Sequence, residues 1–261
     1  MLLGKVIVVT GVASGIGART AELAAAMGAD VIGIDRQAPA HPVGAFVTAD
    51  LGKPESFAGI AEHLPARIDA LCNVAGVSGN TGIAQTLAIN FYGLRALTHA
   101  VAPLLREGGA VVNVASIAGF GWRANLDRAR AMIDVEGFPD VASVAAAHGA
   151  TDEIAYPLSK ELLLLWTIRA AHLPAFKQRG IRVNAVSPGP VQTPILTQFR
   201  AVLGDARVDS DIARVGRSGT PADIAPSILY LCSDGARWIN GANIPVDGGL
   251  EAAVNAEAMQ F

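Results

Sequence analysis

Tyr156 and Lys160 have the residue types and spacing to move a proton. On a helix they stand one turn apart on the same face. A free tyrosine titrates at about 10, too high for an efficient base at neutral pH. An ammonium group beside it favours the phenolate by opposite-charge attraction. The pair therefore predicts a phenol acting as base or acid on a substrate oxygen. Ser116 closes an apolar, strand-like run, where its hydroxyl can hydrogen-bond the same oxygen and steady developing charge.

A second group could hold phosphates. Thr10 and Gly11 follow the first apolar run, and Ser14, Gly15, Ile16 and Gly17 open a helical segment. Glycines there permit a tight turn and close backbone approach to a pyrophosphate. The helix N-terminus adds N–H donors and a favourable dipole. Asp35 ends the second apolar run, where its carboxylate can accept from an adenosine ribose and repel an added phosphate. Arg36, next in sequence, could instead reach a 2′-phosphate. NAD(H) is expected as cofactor, with an NADPH-dependent reductase of hydrophobic ketones as the alternative and a non-catalytic dinucleotide-binding protein as a second. Positive nicotinamide would favour the Tyr156 phenolate further. No His/Cys cluster has metal-ligand spacing, so no metal is expected. His99, His148 and His172 read as packing or solvated helix residues.

These side chains need elements to place them. Short Val/Ile-rich runs recur at Val6–Thr10, Asp30–Asp35, residues 45–49, 70–74, 110–115 and 182–186, and Asn243–Val246. Little polar alternation marks them, as expected for strands buried on both faces of a parallel sheet. Helical segments are predicted between them at residues 16–27, 54–64, 82–105, 156–179 and 221–232. The alternation predicts an α/β fold, a doubly wound parallel sheet with helices on both faces. Between Ser116 and Tyr156 the chain runs far beyond the ~15 residues usual for an unstructured connection. Residues 119–153 are rich in helix formers and read as a mostly helical insertion before the Tyr156 helix, within a single domain spanning 1–261.

The chain has 261 residues, 51% hydrophobic, and a net charge of −3. Such a balance lacks the basic footprint of nucleic-acid binding. The longest apolar run near a helix, Leu162 to Trp166, is far short of the ~20 residues that cross a bilayer. No signal-peptide pattern precedes the first strand, so a cytoplasmic protein without membrane partners is expected. Cys72 and Cys232 both sit in apolar stretches and read as buried free thiols.

Four blocks together resemble the short-chain dehydrogenase/reductase family: Thr10, Gly11, Gly15 and Gly17; Asn73, Val74, Ala75 and Gly76; Ser116 with Tyr156 and Lys160; and Pro188, Gly189 and Thr193. The resemblance covers essentially the whole chain. Segments near Leu71, Pro188 and Arg237 are similar to the branch acting on coniferyl-type alcohols and 3α-hydroxysteroids. It implies a Rossmann-type fold and an alcohol dehydrogenase or carbonyl reductase. It also implies that Asp50 and Leu51 line the adenine pocket, and that Asn73, Ala75 and Gly76 support the adenosine side. Pro188, Gly189, Val191 and Thr193 would hold the nicotinamide, and Lys160 its ribose. Asn90 would support a water-linked proton path. The long insertion departs from the usual family pattern.

Candidate substrate walls follow the strand ends: Ser116, Ile117, Phe120 and Trp122, then Ile195, Leu196 and Phe199 as a mobile lid. They predict a bulky apolar or aromatic alcohol/ketone pair, a phenylpropanoid alcohol first and a hydroxysteroid second. No Arg or Lys is obviously placed to grip a substrate carboxylate, although Arg123 and Arg200 lie near in sequence. The insertion precedes the helix of Tyr156 and is expected to cover part of a common interface, giving a homodimer rather than a tetramer.

Overall fold

Val6–Thr10 form β1, an interior strand of the sheet, because residues without polar alternation must bury both faces. The structure, a computed structural model, describes residues 2–57 and 59–261, without the side chains of residues 202 and 203. The other strands are β2 (Asp30–Asp35), β3 (Ala45–Thr48), β4 (Ile68–Asn73), β5 (Leu105–Val114), β6 (Arg182–Pro188) and β7 (Asn243–Val246). Their order is β3-β2-β1-β4-β5-β6-β7, and every pairing is parallel. The direction of winding reverses between β1 and β4, where an open sheet leaves a crevice at its carboxyl edge.

The helices are α1 (Gly15–Ala26), α2 (Ile83–Leu87), α3 (Leu94–Val101), α4 (Leu126–Asp134), α5 (Val141–Ala147) and α6 (Ala155–Ala170). They continue with α7 (Pro174–Lys177), α8 (Pro194–Leu203), α9 (Asp205–Val215), α10 (Pro221–Cys232) and α11 (Leu250–Ala258). Neighbouring strand residues feed opposite cores. Val8, Leu71 and Val111 join Leu97 and Trp166 on one face. Ile7, Val9 and Cys72 join Ala21, Ala24 and Ile228 on the other. No helix among the described residues is long and apolar enough to cross a membrane.

The insertion is helical, as α4, α5 and short 3-10 turns at Ile117–Arg123 and Asp152–Ile154. It packs on α6 and α2. Leu162, Leu163, Leu164 and Trp166 are therefore core residues, while Ile168 and Arg169 keep one side of α6 exposed. Arg95, buried between the rings of Phe91 and Tyr92, donates to the carbonyls of Ile133, Val135 and Gly137. It thereby caps the carboxyl end of α4 and fastens the insertion to α3.

Three predicted helices differ. Residues 54–64 form two 3-10 turns, Pro54–Phe57 and Ile60–His63, because Gly59 between them takes a left-handed φ of 74°. Residues 82–105 break into α2, a π-helical segment (Ala88–Gly93), α3 and a 3-10 turn, and Leu105 already belongs to β5. The helix expected over 156–179 stops at Ala170 and restarts as α7. Leu173, held extended before Pro174, separates the two. Helices α8, α9 and α11 lie outside the helices that the sequence predicts. Cys72 and Cys232 are buried free thiols with Sγ atoms 3.4 Å apart, one on β4 and one on α10.

Candidate active site

The turn between β1 and α1 forms one wall of a cleft of about 330 Å³ at the switch point. Its glycines are required by close approach: a Cβ on Gly17 would sit 2.1 Å from the Gly11 carbonyl oxygen, and one on Gly11 2.9 Å from Ala75 N. Thr10 Oγ1 accepts from the amides of Val74 and Ala75 at 2.9 and 3.0 Å, fastening the turn to the segment after β4. Ser14, the N-cap of α1, makes no side-chain cap hydrogen bond. Gly15, Ile16 and Gly17 thus open into the cleft with the unpaired donors of a helix start. Asp35 accepts from the Ala13 amide at 3.0 Å and the Gln37 amide at 3.1 Å, so its carboxylate is fixed beside the glycine turn. Arg36 lines the same end.

Asp50, Leu51, Ala75, Gly76, Pro188, Gly189, Val191 and Thr193 all line this cleft. Asn73 does not. It is fully buried, and its amide donates to Thr98 Oγ1 and Asn113 Oδ1, both at 2.9 Å, so it braces β4 against β5 and α3. Thr193 N-caps α8 and donates to the Val191 carbonyl at 3.2 Å. The glycine cradle, the open helix start and the fixed acid fit a nicotinamide dinucleotide.

Ser116, Tyr156 and Lys160 line the other half. Lys160, 5% exposed, donates to the Val114 carbonyl at 2.9 Å. Its Nζ lies 5.6 Å from the centre of the Tyr156 ring. Burial lowers the Lys160 ammonium from its ordinary value to about 8. Burial pushes the Tyr156 phenol up to about 12, opposed by a hydrogen bond with Ser116. The sequence reading had Lys160 pulling that phenol down. Desolvation prevails instead: Lys160 is buried and Tyr156 half-buried, and burial disfavours the charged form of each.

Asn90 lies in the π-helical segment Ala88–Gly93, a distortion frequent at functional sites. Its Oδ1 accepts from the Val77 amide at 2.8 Å, and its Nδ2 donates to the Val77 carbonyl and Ser159 Oγ, each at 3.0 Å. The side chain is thus spent on holding the segment after β4 against α6.

Among the expected substrate walls, Ser116, Ile195 and Phe199 line the cleft. Ile117, Phe120, Trp122 and Leu196 lie outside its lining. Gly119 and Gly121 let the 3-10 turn after Ser116 lie flat on α6, and Trp122 packs against the core beneath. Phe199 sets its ring 4.5 Å from that of Tyr156, edge-on. Ser78 Oγ donates to Gln198 Oε1 at 2.8 Å, tying α8 to the segment after β4. Gln198 was missed in the sequence; its place one residue before Phe199 on α8 was the available signal. Arg200 is paired with Asp205 and Asp209, and Arg123 stacks on Trp122.

The model of the short chain dehydrogenase family matches residues 5–126, and one described as enoyl-(acyl carrier protein) reductase matches residues 140–251. Coniferyl-alcohol dehydrogenase of Pseudomonas sp. (strain HR199 / DSM 7063) is 41% identical, over 95% of this chain and 97% of that protein. The 3-alpha-hydroxysteroid dehydrogenase/carbonyl reductase of Comamonas testosteroni is 29% identical, over 96% of this chain and 98% of that protein. The solved structure of the 3-alpha-hydroxysteroid dehydrogenase from Pseudomonas sp. B-0831, complexed with NADH, superposes with a TM-score of 0.83. It is 32% identical, covering 97% of this chain and 99% of that one.

Proposed function

The chain belongs to the short-chain dehydrogenase/reductase family and is an oxidoreductase of alcohols and ketones, and we propose that it uses NAD(H) on a bulky apolar or aromatic alcohol. The observation that carries this is convergence. Tyr156, Lys160 and Ser116 share one cleft with the glycine turn and Asp35, so a hydroxyl carbon can meet the nicotinamide where its proton can leave.

A bound nicotinamide dinucleotide supplies the hydride chemistry. Everything else falls to the chain. Ser116 hydrogen-bonds the substrate oxygen and holds it toward Tyr156. The Tyr156 oxygen accepts the hydroxyl proton in oxidation and returns it in reduction. Lys160, anchored by the Val114 carbonyl, keeps a positive charge beside the phenol and orients the nicotinamide ribose. Asn90 fixes Val77 and Ser159 around the Tyr156 turn. Ile195 and Phe199 exclude water above the phenol, which strengthens each of these interactions.

Coniferyl alcohol and hydroxysteroids are the first substrates to try, since relatives named for them align along nearly the whole chain. Arg36 is the specific feature favouring NADP(H). The fixed Asp35 carboxylate, with acceptor capacity toward ribose hydroxyls, favours NAD(H) instead. A homodimer is the assembly we infer. The insertion already covers α6 and α2, while β7 is an unpaired sheet edge and Trp238 is 97% exposed.

The deciding experiment offers NAD+ and NADP+ separately with coniferyl alcohol, a 3α-hydroxysteroid and a 1-arylalkanol, reading absorbance of the reduced cofactor. NAD+-linked turnover of at least one alcohol is expected, with Tyr156→Phe slower by roughly 10²-fold or more. Turnover with NADP+ alone would overturn the cofactor reading. Binding of NAD+ without turnover of any of the three would overturn the substrate reading.

A further inference from the structure

Glu161 directly follows Lys160 on α6 and is 4% exposed. It does not face the cleft. Its Oε1 accepts from Asn125 Nδ2 at 2.9 Å, and Asn125 Nδ2 also reaches the Gly121 carbonyl at 3.4 Å. A Cβ on Gly121 would stand 2.6 Å from Glu161 Oε1, and one on Gly119 2.9 Å from the Lys160 carbonyl. The 3-10 turn Ile117–Arg123 is therefore pressed onto α6 at two successive points, one of them the Glu161 carboxyl. That turn begins at Ser116, whose Oγ accepts from the Ala118 amide at 3.2 Å. The rotamer of Ser116 is thus tied to how the turn lies.

We propose that Glu161 is a positioning residue that sets the Ser116 hydroxyl in register with Tyr156 and Lys160. The same helix carries the phenol, the ammonium and the carboxyl, so one rigid element references both halves of the proton-transfer site. Glu161 keeps this place at a cost in stability. Its Oε2 is buried without a hydrogen-bond partner among the described residues, and such an atom is destabilising. Arg128, from α4, supplies an opposite charge nearby. A residue needed only for packing here would be served better by leucine.

The proposal rests on Ser116 and Tyr156 being catalytic, and the test separates the two ideas. Turnover, alcohol KM, NAD+ affinity and melting temperature are measured for Glu161→Leu, Glu161→Gln, Asn125→Ala, Ser116→Ala and Tyr156→Phe, and for Glu161→Leu in the Ser116→Ala background. Glu161→Leu should lose about tenfold in kcat while NAD+ affinity and melting temperature hold. Glu161→Gln keeps an acceptor for Asn125 and should stay within about threefold of the parent. With Ser116 already removed, Glu161→Leu should cost nothing more, because coupled residues are not additive. Full additivity with Ser116→Ala, or unchanged kcat in Glu161→Leu, overturns the proposal. Should Glu161→Leu fail to fold, Asn125→Ala in the same cycle decides by the same criterion. An active Tyr156→Phe protein overturns the catalytic reading and this proposal with it, whereas an inactive one beside additive Glu161 effects overturns this proposal alone.

Discussion

Asp35→Asn isolates the charge that should select the cofactor. The carboxylate is held by the amides of Ala13 and Gln37 at 3.0 and 3.1 Å, so it cannot swing away from a 2′-phosphate arriving at the same turn. A unit charge at about 5 Å costs about 3 kcal/mol at an effective dielectric of about 20, and about 1 kcal/mol in bulk water. Asp35 is half-buried, at the mouth of an open cleft, so the watery end applies. A phosphate of roughly −1.5 to −2 charges then meets about 1–2 kcal/mol of repulsion, or roughly 5- to 30-fold in affinity. Removing the charge also turns a charge-assisted ribose hydrogen bond into a neutral one, about 1 kcal/mol against NAD+. The asparagine leaves one backbone amide without its acceptor, but that cost falls on both cofactors and cancels in their ratio. The expected result is a shift of the NAD+/NADP+ affinity ratio by roughly 30- to 150-fold toward NADP+, read by calorimetric titration of each cofactor. A ratio that moves less than about threefold would refute the electrostatic account and leave Arg36 as the governing residue.

Two further outcomes are expected. Lys160→Met should abolish turnover yet melt no lower than the parent at pH 7. The folded Lys160 value, about 8, lies below its ordinary 10.5. The buried charge therefore costs on the order of 3 kcal/mol below pH 8, offset in the variant by the Val114 carbonyl losing its donor, about 1–3 kcal/mol. Because the unfolded chain binds the extra proton, parent stability should rise as pH climbs from about 8 toward 10.5. The variant should lack that rise, and a clearly lower melting temperature at pH 7 would contradict this. In light scattering the parent should be a dimer, which Trp238→Ser weakens; a stable tetramer would sink the homodimer reading.

The sequence displayed the sheet because period and composition alone set it. Val6–Thr10 and Asp30–Asp35 match the predicted bounds, since strands buried on both faces have few alternatives. The glycine turn, Asp35 and the Tyr156–Lys160 spacing were equally legible, because each is a local requirement of geometry. What stayed hidden depends on contacts across the chain. The π-helical segment around Asn90 answers to Val77 and Ser159, far from it in sequence. The fate of Trp122 was decided by Gly119 and Gly121 lying against α6, which turns an apparent pocket wall toward the core. The place of Arg95 is likewise set by three carbonyls of the insertion, about 40 residues away in the chain.

The two proton-handling groups carry the deepest lesson about sequence and site. From spacing alone, Lys160 should make Tyr156 a ready base. The fold buries Lys160 and half-buries Tyr156, and desolvation drives each toward its neutral form: the phenol to about 12 and the ammonium to about 8. A lysine at about 8 remains largely charged at neutral pH, yet that charge does not bring the phenol below its ordinary value. A positive charge beyond Lys160 would favour the Tyr156 phenolate, and Pro188, Gly189, Val191 and Thr193 line the part of the cleft that would hold a nicotinamide. A bound oxidised nicotinamide would thus oppose the effect of burial on the phenol.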